Sequence, residues 1–308
     1  MISVIICTYD RADLLERTMR SLLAQEDAPP LEVIVVDNNS SDRTQSLLAE
    51  WRRRGTLALQ CIVEKAQGLS HARNAGIGAA RGGLVAFVDD DVVLPEGWAR
   101  RLSEAFAEHP DAACVAGPCE PEYEVLPPPP WATDELLGMI APGHFGRTAR
   151  VLLRNEYPAG GNMAVRRSAL AQTGGFNPAL GHAGDSLLGA EEVEFIQRLR
   201  RNGGKVWYEP ALRVHHYVPA ARVTPSYLLA RRRWDGRSIA RWECIAGGKW
   251  FLLGHALLRA LIALPRDVIG WACLTAMGRP DHRFTLTCRI AKNLAYLDQA
   301  RLILLGRA

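Results

Sequence analysis

The sequence lacks any pairing pattern among its cysteines. Cys7, Cys61, Cys114, Cys119, Cys244, Cys273 and Cys288 contain no CxxC spacing, and an odd count does not build a disulfide framework. Several lie in apolar runs, where a free thiol packs as a small hydrophobe, so a reducing, cytoplasmic setting is expected. No basic leader precedes the first apolar run, so no secretory signal is read. No uncharged stretch reaches the ~20 residues of a spanning helix. There is no Walker loop, no GxGxxG after a strand, no GxSxG and no HExxH. These absences argue against P-loop, dinucleotide-binding, serine-hydrolase and zincin chemistry. Repeats are also missing. With 308 residues, 48% hydrophobic and 23% charged, the composition is that of a globular chain rather than a disordered, collagen-like or coiled-coil one.

The net charge of +4 hides an asymmetry. Residues 1–221 carry 22 basic and 28 acidic side chains, a net −6, whereas residues 222–308 carry 15 and 5, a net +10. A basic C-terminal third points to anionic partners. Its arginines are interleaved with Leu-rich runs, which suits lipid phosphate or helix packing better than nucleic acid. A division into residues 1–221 and a helical region 222–308 is expected. Trp250–Met277 is strongly apolar but interrupted by Arg259, Pro265, Arg266 and Asp267. It reads as an interfacial helical hairpin or as a packing surface.

The first 120 residues alternate strand and helix signals. Short β-branched runs at Ile2–Thr8, Leu31–Val36, Leu57–Val63, Leu84–Val88 and Ala112–Ala116 predict buried strands. Amphipathic patterns over Asp10–Gln25, from Ser40 or Ser41 to Gly55, from Ser70 to Gly82-Gly83, and from Pro95 to Glu108 predict helices. Such alternation builds an α/β fold with a mostly parallel sheet flanked by helices. Ligands then bind beyond the carboxyl ends of the strands, where Thr8-Tyr9, Asp37 and Asp89–Asp91 should converge. Further on, Pro127–Pro130 with Trp131 reads as a stiff loop. Gly160-Gly161 reads as a turn into a strand, and Ala190–Asn202 as a helix.

Several residues could carry chemistry. Asp89-Asp90-Asp91 is an acidic triplet at a strand end; it is either a solvated turn or a site for Mg²⁺ or Mn²⁺. Asp37 is either turn chemistry or a hydrogen-bond acceptor for a base or ribose. Glu191 and Glu192 open a helix, where a carboxylate either complements the helix dipole or serves as a general base. Arg73 can hold phosphate or a salt bridge. His216 is a partner or a ligand.

In order and spacing, Val4–Arg11, Val33–Asp42, Gly68–Gly76, Phe87–Asp91, Gly161–Arg167, Gly174–Phe176 and Gly189–Glu194 resemble the family 2 glycosyltransferases of GT-A fold. The resemblance covers about residues 1–240. It implies an inverting transfer from a nucleotide-diphosphate sugar to a glycan, lipid-linked or small-molecule acceptor, in polysaccharide or glycolipid synthesis. It implies that Thr8, Tyr9, Asp37 and Arg73 line the nucleotide pocket, with Asp89 and Asp90 beside ribose and pyrophosphate. Asp91 would be the main protein ligand of the divalent ion, with His216 close by. Glu192 stands at the position of the base, with Glu191 beside it; the family usually has Asp there. Asn162 and Trp131 would belong to the acceptor side. A protein peripheral on the cytoplasmic membrane face, meeting an anionic surface, is expected. Two competing readings are a sugar-phosphate nucleotidyltransferase and a membrane-surface protein with a decayed site. The first would need a glycine-rich loop after the first strand, and Thr8–Asp13 contains no glycine.

Overall fold

The computed structural model describes all residues except 130, 141, 142, 185, 279 and 308. Pro130 of the proline run therefore lies outside the described residues. The N-terminal half follows the expected alternation: β1 (Ile2–Thr8), α1 (Ala12–Leu23), β2 (Leu31–Asp37), α2 (Thr44–Arg54), β3 (Leu59–Val63), α3 (Leu69–Ala79) and β4 (Leu84–Asp89). Next come β5 (Val92–Val93), α4 (Trp98–Glu108), β6 (Ala112–Ala116), β7 (Cys119–Tyr123), the short α5 (Asp134–Leu137) and β8 (Arg150–Val151). They are followed by β9 (Asn162–Arg166), α6 (Arg167–Thr173), α7 (Glu191–Arg201), β10 (Lys205–Tyr208) and β11 (Val214–Val218).

Eight strands form one sheet in the order β3-β2-β1-β4-β9-β6-β10-β8. The β3-β2-β1-β4 part is parallel, and β9 runs antiparallel between β4 and β6. Register aligns the site: Thr8 faces Asp37 across one ladder, and Cys7 faces Asp89 across the other. Both sheet faces are covered. Leu15, Met19, Leu47, Trp51, Leu102 and Phe106 from α1, α2 and α4 pack on one. Ala72, Leu170, Phe195, Ile196 and Leu199 from α3, α6 and α7 pack on the other. Burial on both faces explains why these strands read as continuous apolar runs.

Local details differ from the sequence reading. Neither Ser40 nor Ser41 caps α2; Asp42 does the nearby work, its Oδ1 accepting from the Thr44 backbone N–H at 2.9 Å. Its carboxylate can also take the Ala12 N–H at 3.0 Å, tying two helix starts together.

The chain divides into two compact units, and not by one cut near residue 222. The sheet unit comprises 1–122, 141–178 and 191–217; the helical unit comprises 123–140, 179–190 and 218–308. Segment 123–140 joins the helical unit through apolar packing, Leu136 and Ile140 sitting in a cluster with Leu228 and Cys288, and segment 179–190 is tied to it by the Gly189 N–H donating to Ser238 Oγ at 2.9 Å.

The helical unit contains α8 (Pro225–Leu258), a π-helical turn (Arg259–Ala263), α9 (Leu264–Ala276) and α10 (Pro280–Leu304). A kink at Gly248, with φ 76°, interrupts α8. Pro265 was expected to break the chain. It lies instead in the first turn of α9, where its missing N–H costs nothing. Helix α10 packs along α8, and a Cβ at Gly236 would collide with the Lys292 carbonyl, so this close approach needs glycine.

Candidate active site

The carboxyl ends of β1, β2 and β4 bring Thr8, Asp37 and Asp89–Asp91 to one edge of the sheet unit. The loops there are knitted together before any ligand is considered. Asp10, at φ 52°, accepts from the Ser41 N–H at 2.6 Å. The Asn38 side chain donates to the Glu64 and Ala66 carbonyls and accepts from the Gly68 N–H at 2.7 Å. Sequence reasoning gives Asn38 no role of its own; its three bonds tie the end of β2 to the start of α3.

Asp37 is fully buried. Its Oδ1 accepts from the Ser40 N–H at 2.8 Å, whereas Oδ2 has no hydrogen-bond partner among the described residues. A buried acceptor left unmatched is costly unless something donates to it. Tyr9, which follows Thr8 along the chain, is 43% exposed.

The acidic triplet is organised by cations and hydroxyls. Thr8 Oγ1 donates to Asp90 Oδ2 at 2.7 Å. Arg11 Nη1 lies 3.1 Å from Asp90 Oδ1 and 3.2 Å from Asp91 Oδ2. His216 on β11 places Nε2 3.4 Å from Asp91 Oδ1. Burial pushes Asp90 up to about 6, with the Asp91 charge adding to it and Arg11 opposing it. Among the described residues, no three His, Cys, Asp or Glu side chains gather into a metal cage. Arg11 was quoted within a motif but given no role by sequence reasoning. A cation three residues past Thr8, opposite an acidic triplet, was the available signal.

A second cluster lies under Gly160-Gly161. Arg73 on α3 sends Nη1 to Glu191 Oε1 and to Glu192 Oε1, each at 3.1 Å. Its Nη2 is 3.8 Å from Asp89 Oδ1, and its guanidinium covers the Phe176 ring at 5.0 Å. Asn74 holds that ring's backbone by bonds to both the Phe176 carbonyl and N–H. A Cβ at Gly160 would strike Glu192 and Arg73, and one at Gly161 would strike Asp89. The two glycines thus belong to the site, which the sequence reading took as a turn.

The neighbouring glutamates differ. Burial and the Glu192 charge push Glu191 upward, so it holds its proton at neutral pH. Burial would raise Glu192 too, but Arg73 and the backbone N–H groups at the start of α7 hold it below the usual range. Its side chain is 22% exposed against 2% for Glu191. The accessible carboxylate is therefore the ionised one.

The two residues expected on the acceptor side lie in different surroundings. Asn162 is buried in the scaffold: Nδ2 donates to the Pro118 and Leu212 carbonyls, and Oδ1 accepts from Trp98 Nε1. Its hydrogen-bonding capacity is spent on joining strand ends. Trp131 lies in the helical unit, edge-on to Phe284 with ring centroids 5.3 Å apart.

The sequence matches the family model "Glycosyl transferase family 2" over residues 3–174, more than half of the chain. The chain belongs to glycosyltransferase family 2. This family 2 glycosyltransferase is 30% identical over 243 residues to the glucosyl-dolichyl phosphate glucuronosyltransferase of Haloferax volcanii, covering 77% of this chain and 75% of that one. It is 30% identical over 245 residues to the succinoglycan biosynthesis protein ExoM of Rhizobium meliloti, covering 78% and 74%. Its fold is similar to a mannosyltransferase of Pyrobaculum calidifontis solved with GDP-Man and Mn²⁺, with a TM-score of 0.65 and 21% identity, covering 99% of this chain and 86% of that one. It also matches TarS of S. aureus solved with UDP-GlcNAc, with a TM-score of 0.57 and 18% identity, covering 99% and 92%. These neighbours establish the GT-A fold.

Proposed function

We propose that this enzyme transfers a sugar from a nucleoside-diphosphate donor to an acceptor hydroxyl with inversion, in polysaccharide or glycolipid synthesis. The observation that carries the reading is the ionised, accessible Glu192 beside Arg73 and Asp89. The names of the similar enzymes favour a glycan or lipid-linked acceptor, met by a protein peripheral on the cytoplasmic membrane face.

Each residue then has a task. Asp37 Oδ2 accepts a hydrogen bond from the base or ribose, which satisfies a buried atom that otherwise has none. Thr8 and Tyr9 line the same pocket. Arg73 supplies positive charge near the departing diphosphate and fixes the direction of Glu192. Glu192 takes the proton of the acceptor hydroxyl as it attacks the anomeric carbon. A single displacement inverts that centre, so no enzyme nucleophile is required. Glu191 stays protonated and keeps a second negative charge away from the base.

The donor set also fits a divalent ion. A hard cation that keeps substrate phosphates among its ligands needs only one or two protein groups. Asp91, with His216 Nε2 at 3.4 Å, offers that set, with Asp89 and Asp90 near it in sequence. Bound there, Mg²⁺ or Mn²⁺ would neutralise the charge gathering on the leaving diphosphate.

The experiment is a thermal-shift panel of nucleotide sugars with and without Mn²⁺, followed by product stereochemistry. A donor that binds the folded form raises the apparent melting temperature. The expected result is a metal-dependent shift with one donor, lost in Asp91→Ala, and a product of opposite anomeric configuration. Retention of configuration, or no shift with any nucleotide sugar, overturns the proposal.

A further inference from the structure

Residues 245 to 277 of the helical unit distribute polar and apolar groups in the reverse of a water-soluble surface. Polar side chains point inward. Buried Glu243 accepts from the Tyr296 hydroxyl and pairs with His255 Nδ1 at 3.0 Å. Arg259 covers the Tyr296 ring at 4.2 Å and donates to Asn293 Oδ1 at 3.3 Å. Asn293 Nδ2 in turn donates to buried Asp267 at 3.1 Å. Large apolar side chains point outward: Trp250 is 85% exposed, Leu261 73%, Ile269 64%, and Leu258, Ile262 and Met277 are also more than half exposed.

Water-soluble helices place these classes the other way, and a contiguous apolar face marks an interaction site. The charges on this segment narrow the partner. Asp267 is its only acidic residue and is buried, where Arg266 pairs with it at 2.9 Å, whereas the Lys249 and Arg266 side chains are themselves exposed. No exposed acidic side chain of the segment offsets Lys249. Among the described residues, no helix is long and apolar enough to cross a membrane.

We propose that this face docks on an anionic lipid bilayer, lying in the boundary between headgroups and acyl chains. Trp250 suits that depth, with an exposed apolar ring and a polar N–H. Lys249 and Arg266 meet lipid phosphates while the aliphatic side chains enter the acyl layer. A second copy seated on the same face by two-fold symmetry fits less well, because it repeats the cationic set on both sides of the contact. The inference deepens the membrane part of the proposed function and rests on that part alone, independent of the donor.

The test is co-sedimentation of the full-length protein with vesicles of phosphatidylcholine, with and without phosphatidylglycerol. Nucleotide-sugar hydrolysis in solution is measured alongside. Wild type should sediment with the anionic vesicles and be released partly by salt. Leu261→Asp with Ile269→Asp should weaken binding to either vesicle by roughly a hundredfold, since two aliphatic anchors are lost. Lys249→Glu should remove only the preference for phosphatidylglycerol. Hydrolysis should persist in both variants, which also reports that they fold. Active protein that ignores vesicles overturns docking, and so does a wild-type dimer that the aspartate pair dissociates. Vesicle binding without turnover of any nucleotide sugar leaves docking standing and counts against the transferase proposal.

Discussion

Arg73 Nη1 lies 3.1 Å from Glu192 Oε1 and the same distance from Glu191 Oε1, so one buried guanidinium serves two adjacent carboxyl groups. Both cannot be ionised cheaply with a single partner. The structure divides them: Glu191 is buried and neutral, and Glu192 is partly open and charged.

That division predicts unequal mutants. Glu192→Gln should lower kcat by about 10²–10⁴-fold, the usual contribution of a general base. Donor binding, read by thermal shift, should survive. Glu191→Gln keeps the neutral form and should cost far less in turnover. A larger loss in Glu191→Gln than in Glu192→Gln would reverse the assignment.

Stability should depend on pH through Glu191. Its pKa rises from 4.5 to about 8 on folding. Between those values the native chain holds a proton that the unfolded chain releases, so this contribution to stability falls as pH rises and levels off above about 8. In Glu191→Gln that decline should disappear, and the gain relative to wild type should be larger at pH 8 than at pH 5. Urea unfolding at a series of pH values checks this.

Arg73→Met should be severe for a different reason. It leaves the partly buried charge of Glu192 beside Glu191 with no counter-charge and removes the cover over Phe176. Removing one partner of a buried pair typically costs about 3–5 kcal/mol. Denaturant midpoints should show it, and Glu191→Gln in the same chain should recover part of the loss.

Gly160→Ala should separate activity from stability. The added methyl meets the ends of the Glu192 and Arg73 side chains, which can move aside. Folding should change little, whereas displacing the base by about 1 Å is enough to cost roughly a hundredfold in kcat. Equal losses in melting temperature and rate would instead mark this glycine as a scaffold residue.

Arg11 Nη1 sits between Asp90 and Asp91, 3.1 Å from one carboxylate and 3.2 Å from the other. Arg11→Ala should lower the melting temperature of the metal-free protein. Added Mn²⁺ should then raise it further in the variant than in wild type, because the ion no longer competes with a guanidinium. Identical shifts in the two proteins would count against this competition.

The fold was largely legible in the sequence because buried parallel strands announce themselves. Ile2–Thr8, Leu31–Asp37 and Leu84–Asp89 are apolar runs whose ends carry the polar residues, and register alone brings Thr8, Asp37 and Asp89 to one edge. Helix positions followed from periodicity and from stops such as Gly55. Polar residues with more than one use were not legible. Asn162 carries the same side chain whether it meets an acceptor or ties β9 to Pro118, Leu212 and Trp98, and only its three bonds show the latter. The packing of Trp131 against Phe284, 153 positions later, leaves no local trace either.

The amino-acid sequence by itself determined the strand and helix order, the carboxylates at the strand ends and the cationic, apolar character of the C-terminal third, because these depend on local pattern and composition. Tertiary structure decided which glutamate is charged, since that depends on where one arginine from α3 meets the first turn of α7. It also decided that two inner segments join the helical unit, and that between residues 245 and 277 Asp267 turns inward while Trp250, Leu258 and Leu261 turn out. Burial and charge pairing are properties of neighbours in space, and a linear pattern records only neighbours along the chain.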